Sequence, residues 1–184
     1  MTTEEWTIDP GRSEVRFSLR HLVFAKVEGT IAILEGKVRY DMADPFTAAV
    51  TVRLASASVS TGDPERDDHV RSAEFLDVAA FPEIQFESGR ISPLAGGSYD
   101  VVGELRIRDR ARPVTLHVQE TPAAGRPDPR ASPFGLFAAT TTINRQEFGL
   151  HWNQDLDTGG VVLGDKVQIA IKLVIGARAG AAAS

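Results

Sequence analysis

The feature that most constrains this chain is the return of apolar side chains at every second position. In residues 166–175, Val167, Ile169, Ile171, Leu173 and Ile175 share one face, while Lys166, Gln168 and Lys172 take the other. A period of two is that of a strand with one buried and one wetted face. The same spacing sends Tyr99, Val101, Gly103, Leu105 and Ile107 inward, with Asp100, Glu104, Arg106 and Arg108 outward. Val114, Leu116 and Val118 follow inward, opposed by Thr115, His117 and Gln119. Shorter runs repeat the pattern: Val15, Phe17 and Leu19; Gly29, Ile31 and Ile33; Val50, Val52 and Leu54; Ile84 and Phe86; Thr141 and Ile143. About eight strands are expected, and helical spacing is rare.

Strands that are apolar on one face bury those faces together, either as a sandwich or as a closed barrel. Gly29 and Gly103 stand on otherwise apolar inward faces where large aromatics are sparse, which favours a barrel with a cavity. The other reading of such glycines is a bulge or a sharp bend. An eight-stranded barrel is wide enough to be filled by its own side chains or to hold one slender ligand. One stretch, residues 60–77, breaks the alternation. Asp63 before Pro64 suits an N-cap and first helical position, and Glu65 suits the positive end of a helix dipole. Ser72 is expected to act as a second cap, and Pro82 keeps the helix out of the strand at Ile84. Residues 121–132 form a Pro-rich connection, expected to be mobile, and the unpatterned tail after residue 176 is expected to be frayed. The chain thus divides into one barrel domain over residues 1–176 and a tail over 177–184.

A length of 184 residues suits one domain, and 42% apolar with 24% charged residues is ordinary globular composition. The net charge of -5 supplies no overall basic field for nucleic acid or an anionic membrane surface. With no cysteine, there is no disulfide framework, thiolate metal cage or Cys nucleophile. No apolar run approaches the length of a membrane span, so no integral membrane association is expected. The acidic start, Met1 to Trp6, lacks the basic flank and apolar stretch of a secretory signal, which points to the cytoplasm.

The four histidines, His21, His69, His117 and His151, form no metal-binding spacing, and no phosphate loop or nucleophile elbow is present. Neither a metal nor a cofactor is expected. His21 continues the inward face of Val15, Phe17 and Leu19 towards Val23, which places an imidazole near one end of the interior. It could meet a ligand's head group or bond to backbone; Arg20 alternates to the opposite face. The run Glu65-Arg66-Asp67-Asp68-His69 is expected to be a solvated helix cap with local ion pairs. Arg145 is expected to pair with a helix carboxylate, since a buried arginine normally needs one, with ligand contact as the other reading.

At these residues the sequence resembles the YceI-like family, the lipocalin-like polyisoprenoid-binding proteins. The resemblance is carried by Trp6-Thr7-Ile8-Asp9, Val15 to Leu22, Val27-Glu28-Gly29-Thr30, Arg66 to Val70 with Phe75-Leu76-Asp77, Phe81 to Phe86, Gly103-Glu104-Leu105 and Ile143 to Gly149. Two departures are Arg12 where the family commonly has a histidine before Ser13, and Asp109-Arg110-Ala111 in place of a usual turn glycine. The resemblance implies an all-β, antiparallel, lipocalin-like barrel of about eight strands with one short helical segment. It also implies an apolar channel for a long isoprenoid or similar lipid, and a homodimer.

Taken as a channel wall, the inward faces give the candidate ligand-binding residues: Phe17, Leu19, His21, Ile31, Val52, Phe86, Val101, Gly103, Leu105, Leu116, Ile143, Ile169 and Ile171. The function expected is non-catalytic binding or carriage of a long-chain isoprenoid or similar amphiphilic lipid, with no catalytic residues. The alternatives are an enzyme that cyclises or isomerises a polyene or polyketide with His21 as acid or base, and a purely structural dimer with a filled barrel.

Overall fold

Each alternating run of the sequence becomes a strand in the computed structural model, which describes residues 3–22, 24–41, 43–121, 135–154 and 162–178. The strands are β1 (Thr3–Ile8), β2 (Glu14–His21), β3 (Ala25–Ile31), β4 (Ile33–Asp41), β5 (Asp44–Ala55), β6 (Glu83–Pro93), β7 (Ser98–Ile107), β8 (Arg110–Thr121), β9 (Gly135–Asn144) and β10 (Lys166–Arg178). The helix is α1 (Pro64–Arg71). All strand pairings are antiparallel, in the order β1-β4-β5-β6-β7-β8-β9-β10, and β10 pairs back onto β1. That ring of eight is a closed barrel, one of the two arrangements that the alternation leaves open.

Ten segments make eight walls because two walls are each broken once. Along one edge of β10, β2 pairs with residues 168–172 and β1 with residues 175 and 178. Between β1 and β2 the chain turns at Asp9, whose Oδ1 accepts from the N–H groups of Gly11 and Arg12. Ser13 Oγ then accepts from the Val174 N–H at 2.9 Å, tying the break to β10. β3 and β4 likewise follow each other with only Ala32 between them. Beyond this break β2 and β3 project as a hairpin, whose outer edge is bridged at Thr30 to Ser60.

The segment between β5 and β6 covers one end of the barrel. Asp63 caps α1 by accepting from the N–H groups of Glu65 and Arg66, as its sequence position implies. Ser72 is the second cap: it closes α1, with its N–H and Oγ both donating to His69 O, and turns follow. Arg71 pins the helix to the chain before it, donating to Ala57 O at 2.9 Å and Val59 O at 2.7 Å. The Pro-rich connection of residues 121–132 lies outside the described residues beyond Thr121, as does the tail beyond Arg178. Among the described residues no helix is long and apolar enough to cross a membrane.

Candidate functional site

Alternation aims one side chain in two at the barrel axis, and these side chains enclose a cavity of about 1070 Å³. Every residue of the expected wall except Gly103 lines it. Phe17 and Leu19 come from β2, Ile31 from β3, Val52 from β5, Phe86 from β6, and Val101 and Leu105 from β7. Leu116 belongs to β8, Ile143 to β9, and Ile169 and Ile171 to β10. The wall is therefore aliphatic and aromatic nearly throughout. Its two ends are different. One is bounded by Ala48, Ile91, Tyr99 and the exposed Glu120. The other is bounded by His21, Leu163, the exposed Gln154, and the residues Asp63, Glu65, Arg66 and His69 in and before α1.

Gly29 and Gly103 do not open space, so of their two readings the cavity-forming one fails. A Cβ on Gly29 would run into the Phe17 ring and lie 2.8 Å from Ser60 O. On Gly103 it would lie 2.5 Å from both Glu87 O and Phe86 Cζ. Each glycine is the seat of an aromatic ring from the neighbouring strand. Gly103 also pairs with Ser88, beside the register shift between Ser88 and Arg90, so the bulge reading applies there.

His21 lies where its position implies, on the cavity wall, and its ring makes no hydrogen bond among the described residues. Its backbone is bridged to Leu163, which fixes the ring beside the mouth. Val23, the next inward position by alternation, lies outside the described residues. Arg20 is exposed on the opposite face.

Arg145 has a different partner set from the one expected. The side chain is 2% exposed, and it spends its donors on backbone carbonyls instead of a helix carboxylate. Nε donates to Gly164 O at 2.9 Å, and Nη1 donates to Leu150 O and Trp152 O at 2.6 and 2.8 Å. Nη2 reaches Leu163 O and Asp165 Oδ1, both at 3.4 Å. Burial lowers the Arg145 pKa and the Asp165 charge opposes that shift. A guanidinium carries five fixed donors, so one residue holds both limbs of the 150–165 connection against the barrel end. Arg145 is thus a clamp for the mouth.

The charged run after Pro64 is only partly solvated. Arg71 and Asp68 form an exposed pair at 3.3 Å, but Asp67 is buried, accepting from both the N–H and Oγ of Thr61 at 2.8 and 2.6 Å. Burial raises the Asp67 pKa, yet the Thr61 bonds and the charges of Arg71 and Arg66 outweigh it and leave the carboxyl lowered. His69 bonds Glu74 at 2.5 Å and stands edge-on between Phe75 and Trp152, with ring centroids 5.2 and 4.5 Å away. Trp152 and His69 both line the cavity, so this stack joins α1 to the connection held by Arg145. Sequence spacing gave no sign of this end wall, because its members come from a short helix, a turn and an irregular connection. The Pro64 cap and the single tryptophan in Leu150-His151-Trp152 were its available signals.

The barrel fold is that of a known group of proteins. The pattern of the YceI-like domain matches residues 6–175. The chain belongs to the YceI-like family. A UPF0312 protein of Staphylococcus aureus is 31% identical to this YceI-like chain over 163 residues, covering 89% of it and 92% of the relative. Among solved structures, Burkholderia cenocepacia BcnA is 25% identical, with a TM-score of 0.74 over 91% of this chain and 98% of its own. A polyisoprenoid binding domain from Saccharophagus degradans, implicated in plant cell wall breakdown, shares the fold at 14% identity, with a TM-score of 0.62 over 94% and 98% of the two chains.

Proposed function

We propose that this YceI-like protein binds and carries a long-chain isoprenoid or similar amphiphilic lipid, with the tail along the barrel axis. The observation that carries this reading is the cavity itself, about 1070 Å³ with an almost wholly apolar wall. That volume is at the upper end of the roughly 300–1,000 Å³ of ordinary small-molecule sites. Burial of an alkyl or prenyl tail in such a wall yields about 0.8 kcal/mol per CH₂ relative to water. A membrane already supplies most of that gain, so retention depends on fit along the channel. The polyisoprenoid-binding domain of Saccharophagus degradans, which shares the fold, supports the class of ligand.

The test is native mass spectrometry of the freshly purified full chain. Release of a lipid whose mass rises in isoprene steps is the expected result. A protein that arrives empty and stays empty when offered polyprenols in detergent overturns the proposal. So does a protein that returns the lipid as a chemically altered species.

A further inference from the structure

We propose that the tip of the β2–β3 hairpin is a docking element for an anionic lipid bilayer, with Leu22 and Phe24 entering the interfacial layer and Arg20 and Lys26 facing the phosphates. Phe24 is 99% exposed and Leu22 44% exposed, both where the chain passes from β2 to β3. Isolated exposed apolar residues are common and carry no meaning alone. Here three further observations converge on the same few residues.

The first is backbone conformation. Leu22 has φ of 59°, the left-handed region, where leucine is disfavoured and asparagine or glycine is at ease. Leucine is a poor choice for that backbone, and much of its side chain stays in solvent; strain of this kind is a motive for a functional reading. The second is charge. Arg20 and Lys26 face each other directly across the ladder, a like-charge cross-strand pair that weakens an isolated hairpin. The outer faces of β2, β3 and β10 carry Arg16, Arg20, Lys26, Lys166 and Lys172 against Glu14 and Glu28. Arg16 pairs with Glu14 at 2.9 Å and Lys26 with Glu28 at 2.8 Å, both at exposed positions where such pairs are weak, so the face keeps a net excess of positive charge. The chain's net charge of -5 therefore hides a local cationic face. An apolar tip flanked by lysine and arginine is the composition that holds a peripheral element at an anionic membrane surface.

The third observation is position. The Leu22 N–H donates to Val162 O at 2.6 Å and the Gly164 N–H to Arg20 O at 2.9 Å, so the tip is bonded to the connection that borders the channel mouth. Docking at this tip brings the mouth at His21, Leu163 and Gln154 to the bilayer surface. A second copy of this chain is a poor occupant, since a two-fold contact at the tip would oppose Arg20 and Lys26 to their own like.

The full chain is tested for sedimentation with extruded vesicles free of isoprenoids, of phosphatidylcholine alone and of phosphatidylcholine mixed with phosphatidylglycerol, at low and high salt. Binding to the anionic vesicles, weakened by salt, is expected. Phe24→Ser lowers that binding by about tenfold or more. Leu22→Asn lowers it too while leaving the thermal midpoint at or above that of the parent, because the left-handed conformation suits asparagine. Phe46→Ser, at an exposed position of β5 at the opposite end of the barrel, leaves binding unchanged. The proposal is overturned by a parent chain that ignores anionic vesicles, or by tip variants that bind as the parent does. It is equally overturned when Phe24→Ser abolishes self-association and leaves vesicle binding intact. Because the vesicles contain no isoprenoid, these results stand apart from whether the channel retains one.

Discussion

Phe17 and Gly29 are paired directly across β2 and β3, and the Phe17 ring occupies the place a side chain at residue 29 would take. Phe86 and Gly103 repeat the exchange across β6 and β7 with a diagonal offset. In both, the glycine lets a large ring lie flat on the wall.

Gly29→Ala is accordingly expected to destabilise the fold by about 1–3 kcal/mol, the usual range for overpacking. Phe17→Ala in the same chain removes the ring and recovers part of that loss, leaving the contact with Ser60 O. At Gly103 the obstacle includes the backbone Glu87 O, so Phe86→Ala recovers less. Urea unfolding of the two double-mutant cycles measures the coupling, and strict additivity at Gly29 would show that the ring is not what excludes a side chain.

Asp63 satisfies two N–H groups at the start of α1. Its replacement by alanine is expected to lower stability by about 1 kcal/mol, and by asparagine less. Equal losses from the two variants, read by thermal unfolding, would remove the cap from the account.

Ile171 lines the cavity and Lys172, its neighbour, is exposed on the outer face. Ile171→Arg places an unpaired charge in an apolar interior, and loss of the folded protein or of its bound lipid is expected. Lys172→Arg is expected to leave the urea midpoint unchanged. Similar effects from both would mean that the two faces of β10 are not distinguished as the structure has them.

Glu83 gives a prediction about acid. Bonds from Arg53, with a smaller one from Gln85, hold its carboxyl down from an ordinary 4.5 to about 2. The folded value lies below the unfolded one, so this contribution to stability is complete above about pH 4.5 and is lost as pH falls towards about 2. Glu83→Gln should lower stability at neutral pH, converge on the parent as pH falls through that window, and so flatten the acid limb while leaving the slope of the neutral-to-alkaline limb unchanged. Unfolding midpoints across pH read this directly, and an unchanged acid slope would assign it to other carboxylates.

Much of the barrel was legible because a strand's period is short and local. Ile169 and Ile171 announce their facing within a few residues, and so do Val101, Leu105 and Leu116. The cap at Asp63 was equally local. What the spacing could not supply was any relationship across strands. Gly29 looks like a gap until Phe17 is placed opposite it. Arg145 looks like half of an ion pair until the carbonyls of Leu150, Trp152, Leu163 and Gly164 are brought around it. The end wall of His69, Phe75 and Trp152 has no period at all, since its members come from a helix, a turn and an irregular connection.

β10 bonds to β9 on one edge and to both β2 and β1 on the other, and the Val174 N–H meets Ser13 Oγ across 161 positions of sequence. Contacts of such separation form late and slowly, since they demand closure of nearly the whole chain. Without β10 the pairings of β1 and β4 to β9 describe only an open sheet with its apolar face uncovered. An uncovered sheet of that kind offers the same apolar surface to another chain as to a lipid. The interior is therefore not inherited from any smaller part of the molecule: a single strand, β10, turns a sticky surface into an enclosed volume.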